Sequence, residues 1–173
     1  YISQVEEMAR SIPLVIISNK EKISTVDAIN QDNTEVGRLM ARHLLDLGHK
    51  KVAMLFDKLD NSIRRSRLTG YKQALGKAKI PYREEYVYIW GRDAIADVTE
   101  SADKGYYLTK ALLERTPEVT AFVCMNDAMA LGAFKAVREA GKKVPDDYSI
   151  VGFDDLVFAD SIDPSLTTVG LDQ

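Results

Sequence analysis

Apolar residues fall along this chain in two alternating patterns. Short unbroken runs, such as PLVIIS at 13–18, KVAMLFD at 51–57 and TAFVC at 120–124, have the length and continuity of strands buried on both faces. Between them lie longer stretches with a period of 3.6 residues, the mark of helices with one apolar stripe. The spacing predicts helices over 2–10, 34–47, 65–79, 104–114 and 128–140. It predicts strands over 13–18, 51–57, 86–89, 120–124, 149–153 and 166–169. In the second helix Val36, Leu39, Met40, His43, Leu44 and Leu47 fall on one face, and in the third Leu68, Tyr71, Leu75 and Ala78 do.

The boundaries carry their own chemistry. Asp32, three residues ahead of Glu35, reads as the head of a capping box, and Gly48 as a left-handed stop. Asn126 and Gly141 are placed to cap and end the last helix. Strand and helix alternating this regularly predict parallel strands joined by right-handed crossovers, hence an α/β fold with an open, doubly wound parallel sheet. Two segments interrupt the rhythm. Residues 91–103, rich in Asp, Ala and Ser, are expected to form a loop. The polar segment 19–32 separates the opening helix and strand from the rest and reads as a crossover, so that the first pair belongs to a different sheet.

Composition narrows the classes. The chain has 173 residues, enough for one domain or one domain and a fragment of another. Its 46% hydrophobic and 28% charged content is that of a globular protein. With 23 Lys and Arg against 26 Asp and Glu the net charge is −3, which disfavours affinity built on neutralising many phosphates. The lone Cys124 excludes an internal disulfide and, inside an apolar strand, reads as a small hydrophobe. No run approaches 18 apolar residues and no signal-peptide pattern opens the chain. A first residue of Tyr rather than Met reads as a cut or processed chain.

In open parallel sheets, ligands bind beyond the carboxyl ends of the strands. The residues there are Ser18 and Asn19, Asp57 with the loop to Arg67, Trp90, Asn126 and Asp127, and Asp154 and Asp155. Carboxylates, amides, an arginine and one indole suit a polar ligand with an apolar face, as a sugar has. Each also has a purely structural reading. Asn126 serves as a helix cap, Asp154 and Asp155 as a turn, Trp90 as a residue at the rim of the core, and Arg64, Arg65 and Arg67 as a solvated helix start. His43 and His49 have no partner in sequence for a metal or nucleophile. No glycine-rich phosphate loop, His-Glu-x-x-His or Gly-x-Ser-x-Gly motif occurs. No cofactor or metal is expected, and catalysis is the weaker reading. A magnesium site at Asp154 and Asp155 would need further carboxylates and a lysine at other strand ends, where only Asp57 offers itself.

Two stretches go beyond pattern. The segment NDAMALGAFKAVREAGKKVPDDYSIVGFDD at 126–155, followed by LTTV at 166–169, resembles the effector-binding core of the LacI/GalR family of bacterial repressors. Upstream, IPLVIIS at 12–18, DNTEVGRLMARHLLDLGHKKVAML at 32–55 and RLTGYKQAL at 67–75 occur in that family's order and spacing. The resemblance covers nearly the whole chain and implies a core truncated at both ends. Its fold would be periplasmic-binding-protein-like, type I: two doubly wound subdomains with a small ligand in the cleft between them. Residues 1–30 would be the tail of a partial first subdomain and 31–170 a nearly complete second one. Residues 171–173 would begin the crossover back to the first.

The resemblance further implies a cytoplasmic homodimer that binds a small-molecule effector, a sugar first among the candidates. Operator DNA would be read by a helix-turn-helix headpiece outside this chain, with no part for a membrane. Position by position, Arg67 matches an effector-contacting arginine, Asp154 the aspartate after the last large strand, and Asn126 the asparagine at a strand end. Trp90 stands near an aromatic that packs on the ligand. Ser18 falls where some sugar-responsive members carry an acidic residue, and Leu171 where some carry a glutamine. Leu131 and Ile162 match positions of subunit contact, with core packing as the alternative. The implied function is effector binding coupled to operator affinity. The alternative is an exported sugar-binding protein of a transport system, and a phosphoprotein in place of the metabolite stays open.

Overall fold

The computed structural model describes residues 2–17 and 23–170. In chain order the elements are α1 (Ile2–Ala9), β1 (Val15–Ile17), β2 (Asp27–Ile29), α2 (Asn33–Asp46), β3 (Val52–Phe56) and α3 (Ser62–Lys77). There follow β4 (Val87–Ile89), α4 (Ser101–Arg115), β5 (Ala121–Cys124), α5 (Asp127–Glu139), β6 (Ser149–Phe153) and β7 (Thr167–Val169). Short 3-10 turns occupy Glu84–Tyr86 and Val157–Asp160.

Five strands form one parallel sheet in the order β4-β3-β5-β6-β7. Every residue of β3 and β5 is buried, as continuous apolar runs require when helices cover both faces. The chain steps from β3 outward to β4, then back past β3 to β5 and on to β6. Because crossovers are right-handed, reversing direction moves the connecting helix to the other face. Helix α3 therefore lies on one side with α2 packed against it, and α4 and α5 pair on the other. The reversal leaves a crevice between the carboxyl ends of β3 and β5.

Both helix pairs cross on glycine. A Cβ at Gly37 of α2 would lie 2.0 Å from the Arg67 carbonyl oxygen, and one at Gly70 of α3 would lie 1.9 Å from that of Thr34. On the other face, Gly105 meets the Met129 carbonyl and Gly132 that of Ala102, at 2.1 and 1.7 Å. The backbones touch, and no side chain can be accommodated between them.

Several sequence expectations shift. The α2 cap is Asp32, whose carboxylate accepts from the Thr34 and Glu35 amides at 3.0 Å. Glu35 does not complete the box, because its carboxylate pairs with Arg38 instead. The buried face of α2 is Asn33, Val36, Gly37, Met40, Ala41 and Leu44. His43 and Leu47 point to solvent, since α3 approaches over the Gly37 side. Helix α3 begins three residues earlier than its apolar pattern, at Ser62 behind the Asn61 cap. Gly48 and Gly141 do take left-handed φ values of 94° and 72°.

The opening strand is not buried. Among the described residues β1 pairs in parallel only with β2, a strand inside the segment read as a crossover, and Ile17 is 73% exposed. The missed strand, DAI, is too short and too polar at its flanks to give a period. α1 likewise buries no residue.

At the amino end of the main sheet, His49 found the partners its sequence context did not suggest. Its ring nitrogens lie 2.8 Å from Thr120 Oγ1 and 3.0 Å from Ser149 Oγ, bridging the entries to β5 and β6.

Two outcomes follow. Gly37→Ala and Gly70→Ala are each expected to lower stability by about 1–3 kcal/mol in urea unfolding, because the helices must separate to admit a methyl group. Burial holds the His49 pKa below its usual value, so the unfolded chain takes up a proton before the folded one as pH falls. That part of the stability is full above about pH 6.5 and is lost below it. His49→Gln should reduce the drop in the unfolding midpoint between about pH 7 and pH 5 relative to the native chain.

Candidate functional site

The carboxyl ends of β3, β5 and β6 open onto one side of the sheet, and the side chains gathered there come from four elements. Arg67 enters from the second turn of α3 and is 7% exposed. Its Nε donates to Asn33 Oδ1 at 2.9 Å and its Nη1 to the Met125 carbonyl at 2.7 Å. The guanidinium plane rests over the Phe153 ring, 3.8 Å from its centroid. Burial pushes its pKa down to about 10; the Asp154 carboxylate draws it up and Arg64 pushes it further down. It stays a cation at neutral pH. Arg67 is thus no solvated helix start. Its backbone lies against Gly37, and its side chain runs inward to Asn33 and Met125.

Arg64, one turn earlier, forms a second anchored cation. It donates to Asp57 and to Asp60, each at 2.7 Å, and its Nε lies 3.3 Å from the Met125 sulfur. Asp57 at the end of β3 is thereby occupied by an arginine. Arg65 stays exposed.

Asp154 follows β6 directly and has a φ of 112°, with Asp155 at 53°. Positive φ at two successive non-glycine residues is strained backbone that its surroundings must hold. The holder is Asp127, a fully buried carboxylate at the start of α5. One of its oxygens accepts from the Leu156 amide at 2.8 Å, and the other accepts from the Thr168 hydroxyl at 2.7 Å. Thr168 in turn accepts from the Asp155 amide at 3.3 Å. Burial raises the Asp127 pKa while the Thr168 and Leu156 hydrogen bonds oppose the rise. The Asp154 pKa is raised too, first by the loss of water from its inner side, although the residue as a whole is exposed, with Arg67 lowering it and Asp127 raising it.

Asn126 is both cap and crevice residue. Its Oδ1 accepts from the Met129 amide at 2.8 Å and from the Ser101 hydroxyl at 3.0 Å. That leaves its amide nitrogen without a hydrogen bond among the described residues. Trp90 directly follows β4, half-buried, with its ring centroid 6.3 Å from that of Tyr107. Arg67, Asn126 and Asp154 thus gather at adjacent strand ends, and Trp90 stands at the neighbouring end. Ser18 and Leu171 lie outside the described residues, as does the 171–173 crossover.

Leu131 and Ile162 sit elsewhere. Leu131 is 38% exposed on α5, and both line a groove with Tyr106, Phe134 and Lys135 on the helical face. Leu131 stands outside the core, whereas Ile162 is partly buried and packs against it, so the packing alternative fits Ile162 but not Leu131.

Sequence reasoning passed over Asn33, Phe153, Thr168 and the role of Asp127. One signal was there: glycine inside β6, Gly152, marks a close approach. A Cβ there would stand 2.1 Å from Asp127 Oδ1. Among the described residues no cluster of three His, Cys, Asp or Glu side chains could hold a metal ion, and no helix is long and apolar enough to cross a membrane.

Comparison with known proteins places these features. Residues 41–173 match the family model of the periplasmic binding protein-like domain. The chain is 31% identical to the ribose operon repressor of Haemophilus influenzae over 163 residues, covering 94% of this chain and 47% of that protein. It is 35% identical to the transcriptional repressor PurR of Vibrio atlanticus over 158 residues, 91% of this chain and 45% of the other. The chain spans about half the length of these curated relatives. A LacI family transcriptional regulator from Enterococcus faecium, solved with bound ribose, superposes with a TM-score of 0.80 at 29% identity, over 98% of this chain and 59% of its own.

Asp127→Ala would leave the Leu156 amide and the Thr168 hydroxyl without their acceptor. A loss of about 3 kcal/mol in urea unfolding is expected. Asp127→Asn, which keeps the shape and one acceptor, should lose less.

Proposed function

This chain belongs to the periplasmic-binding-protein-like family in its LacI-type regulator form, and from that premise we propose that it is the effector-binding core of a DNA-binding transcriptional repressor. The effector is a small polar metabolite, a sugar by preference, held in the crevice beyond β3, β5 and β6. The observation that carries this reading is the Arg67 guanidinium, fixed by Asn33, Met125 and Phe153 and within reach of the charge of Asp154. A cationic fork and a carboxylate that sense each other's charge without forming an ion pair among the described residues suit vicinal hydroxyls, which donate to the carboxylate and accept from the fork.

Asn126 has an amide nitrogen to donate, and Trp90 offers a ring face; both are assigned to the ligand. Ser18 is assigned to the same site, from the subdomain to which residues 1–30 belong. Residues 31–170 form the other subdomain. A ligand gripping both would favour one relative arrangement of them by its differential affinity, and could shift the balance by no more than that. Leu131 and Ile162 are assigned to a homodimer contact through the groove on α4 and α5. In a dimer, the subdomain arrangement sets the spacing of two DNA-reading heads, so effector and operator affinities are reciprocally linked. The protein works in the cytoplasm, and it binds rather than turns over its ligand.

Calorimetry with a panel of sugars, ribose among them, tests the site. Asp154→Ala and Arg67→Ala should each weaken the binding of the responding sugar at least tenfold, about 1.4 kcal/mol or more. Asp154→Ala, at an exposed position, should leave the unfolding midpoint nearly unchanged. Unaltered affinity in both variants would remove these residues from the site.

A further inference from the structure

We propose that a cavity at the opposite end of the sheet is a second ligand site, for a small phosphorylated organic molecule. The cavity, of about 280 Å³, lies where the chain enters β3 and β4, away from the Arg67 crevice. Its floor is apolar, made by Val52, Leu75, Ile80 and Pro81 with the ring of Tyr71. Its rim is cationic: Lys50, Lys51, Lys79 and Arg83 all face it.

The charge around it is unbalanced. Arg83 lies 3.6 Å from Glu85, and Glu118 accepts from the Tyr86 hydroxyl at 2.9 Å near Lys51 and Arg83. Lys50 and Lys79 have no ion pair among the described residues. Four cations against two carboxylates leave an excess of two positive charges in a chain whose net charge is −3. A phosphate monoester near neutral pH carries close to two negative charges. An anion of that charge matches the rim, and the apolar floor matches the organic body attached to it. Free phosphate would satisfy only the rim.

Lys79 adds an independent sign. It occupies the position after the α3 cap with a φ of 58°, where glycine is the ordinary residue. Its amide and that of Ile80 donate back to the Gly76 and Leu75 carbonyls at 3.0 and 2.9 Å. The turn itself needs no side chain, yet the chain keeps a lysine there in strained backbone, aimed at the cavity.

The test uses phenyl phosphate as probe, with inorganic phosphate for comparison, followed by heteronuclear NMR on the 173-residue chain at constant ionic strength. Phenyl phosphate should shift the amides of Lys51, Lys79 and Ile80 saturably, and bind several-fold tighter than inorganic phosphate. Lys79→Gly relieves the left-handed strain, so it should fold with an equal or higher unfolding midpoint and bind about tenfold more weakly. Lys51→Ala should weaken binding similarly, and Lys142→Ala, a charge loss elsewhere on the surface, should not. The proposal is overturned by any of three results: no saturable shift, native affinity in Lys79→Gly, or an equal response to sodium chloride. Because this site shares no residue with the Arg67 crevice, its failure would leave the effector reading standing.

Discussion

A guanidinium does not give up its proton at any ordinary pH, so burying one commits the surrounding chain to satisfying it. Arg67 imposes that commitment here. An amide oxygen from the start of α2, a carbonyl from the end of β5, an aromatic face from the end of β6 and the carboxylate after it all answer the same charge. The groups come from three separate elements, so the crevice keeps its shape only while those elements keep their places. The glycine crossing makes this feasible. With Gly37 against the Arg67 backbone, α2 and α3 are close enough for Asn33 to reach the side chain.

The turn after β6 follows the same logic with the sign reversed. Two aspartates in left-handed backbone are unfavourable by themselves, and a third, buried at the head of α5, holds them through Leu156 and Thr168. Asp127 faces inward and Asp154 outward, so one carboxylate serves as scaffold and the other stays exposed at the mouth of the crevice. Removing the Cβ at Gly152 opens the space that the scaffold carboxylate occupies.

Much of this was legible in the residues. Continuous apolar runs gave β3, β5 and β6, and cap and stop residues bounded α2 and α5 closely, because these signals are local. Arg67, Asn126 and Asp154 were singled out because a parallel sheet places its strand ends together. Where contacts between distant segments decide the outcome, pattern failed. His43 and Leu47 completed an apolar stripe on paper but face solvent, because α3 packs over the glycine side of α2. β2 has three residues and no period. Asn33 and Phe153 matter only through a side chain 34 residues away from one and 86 from the other, a relation that no local window contains.

His49 carries a mechanical consequence. It laces the entries of β5 and β6 together through two hydroxyls, while the far ends of the same strands are held by the groups around the crevice. A tie at that end fixes the register of β5 against β6, Ala121 beside Ser149 and Val123 beside Val151. It thereby sets the level at which Asn126 and Asp154 emerge at the opposite end of the sheet.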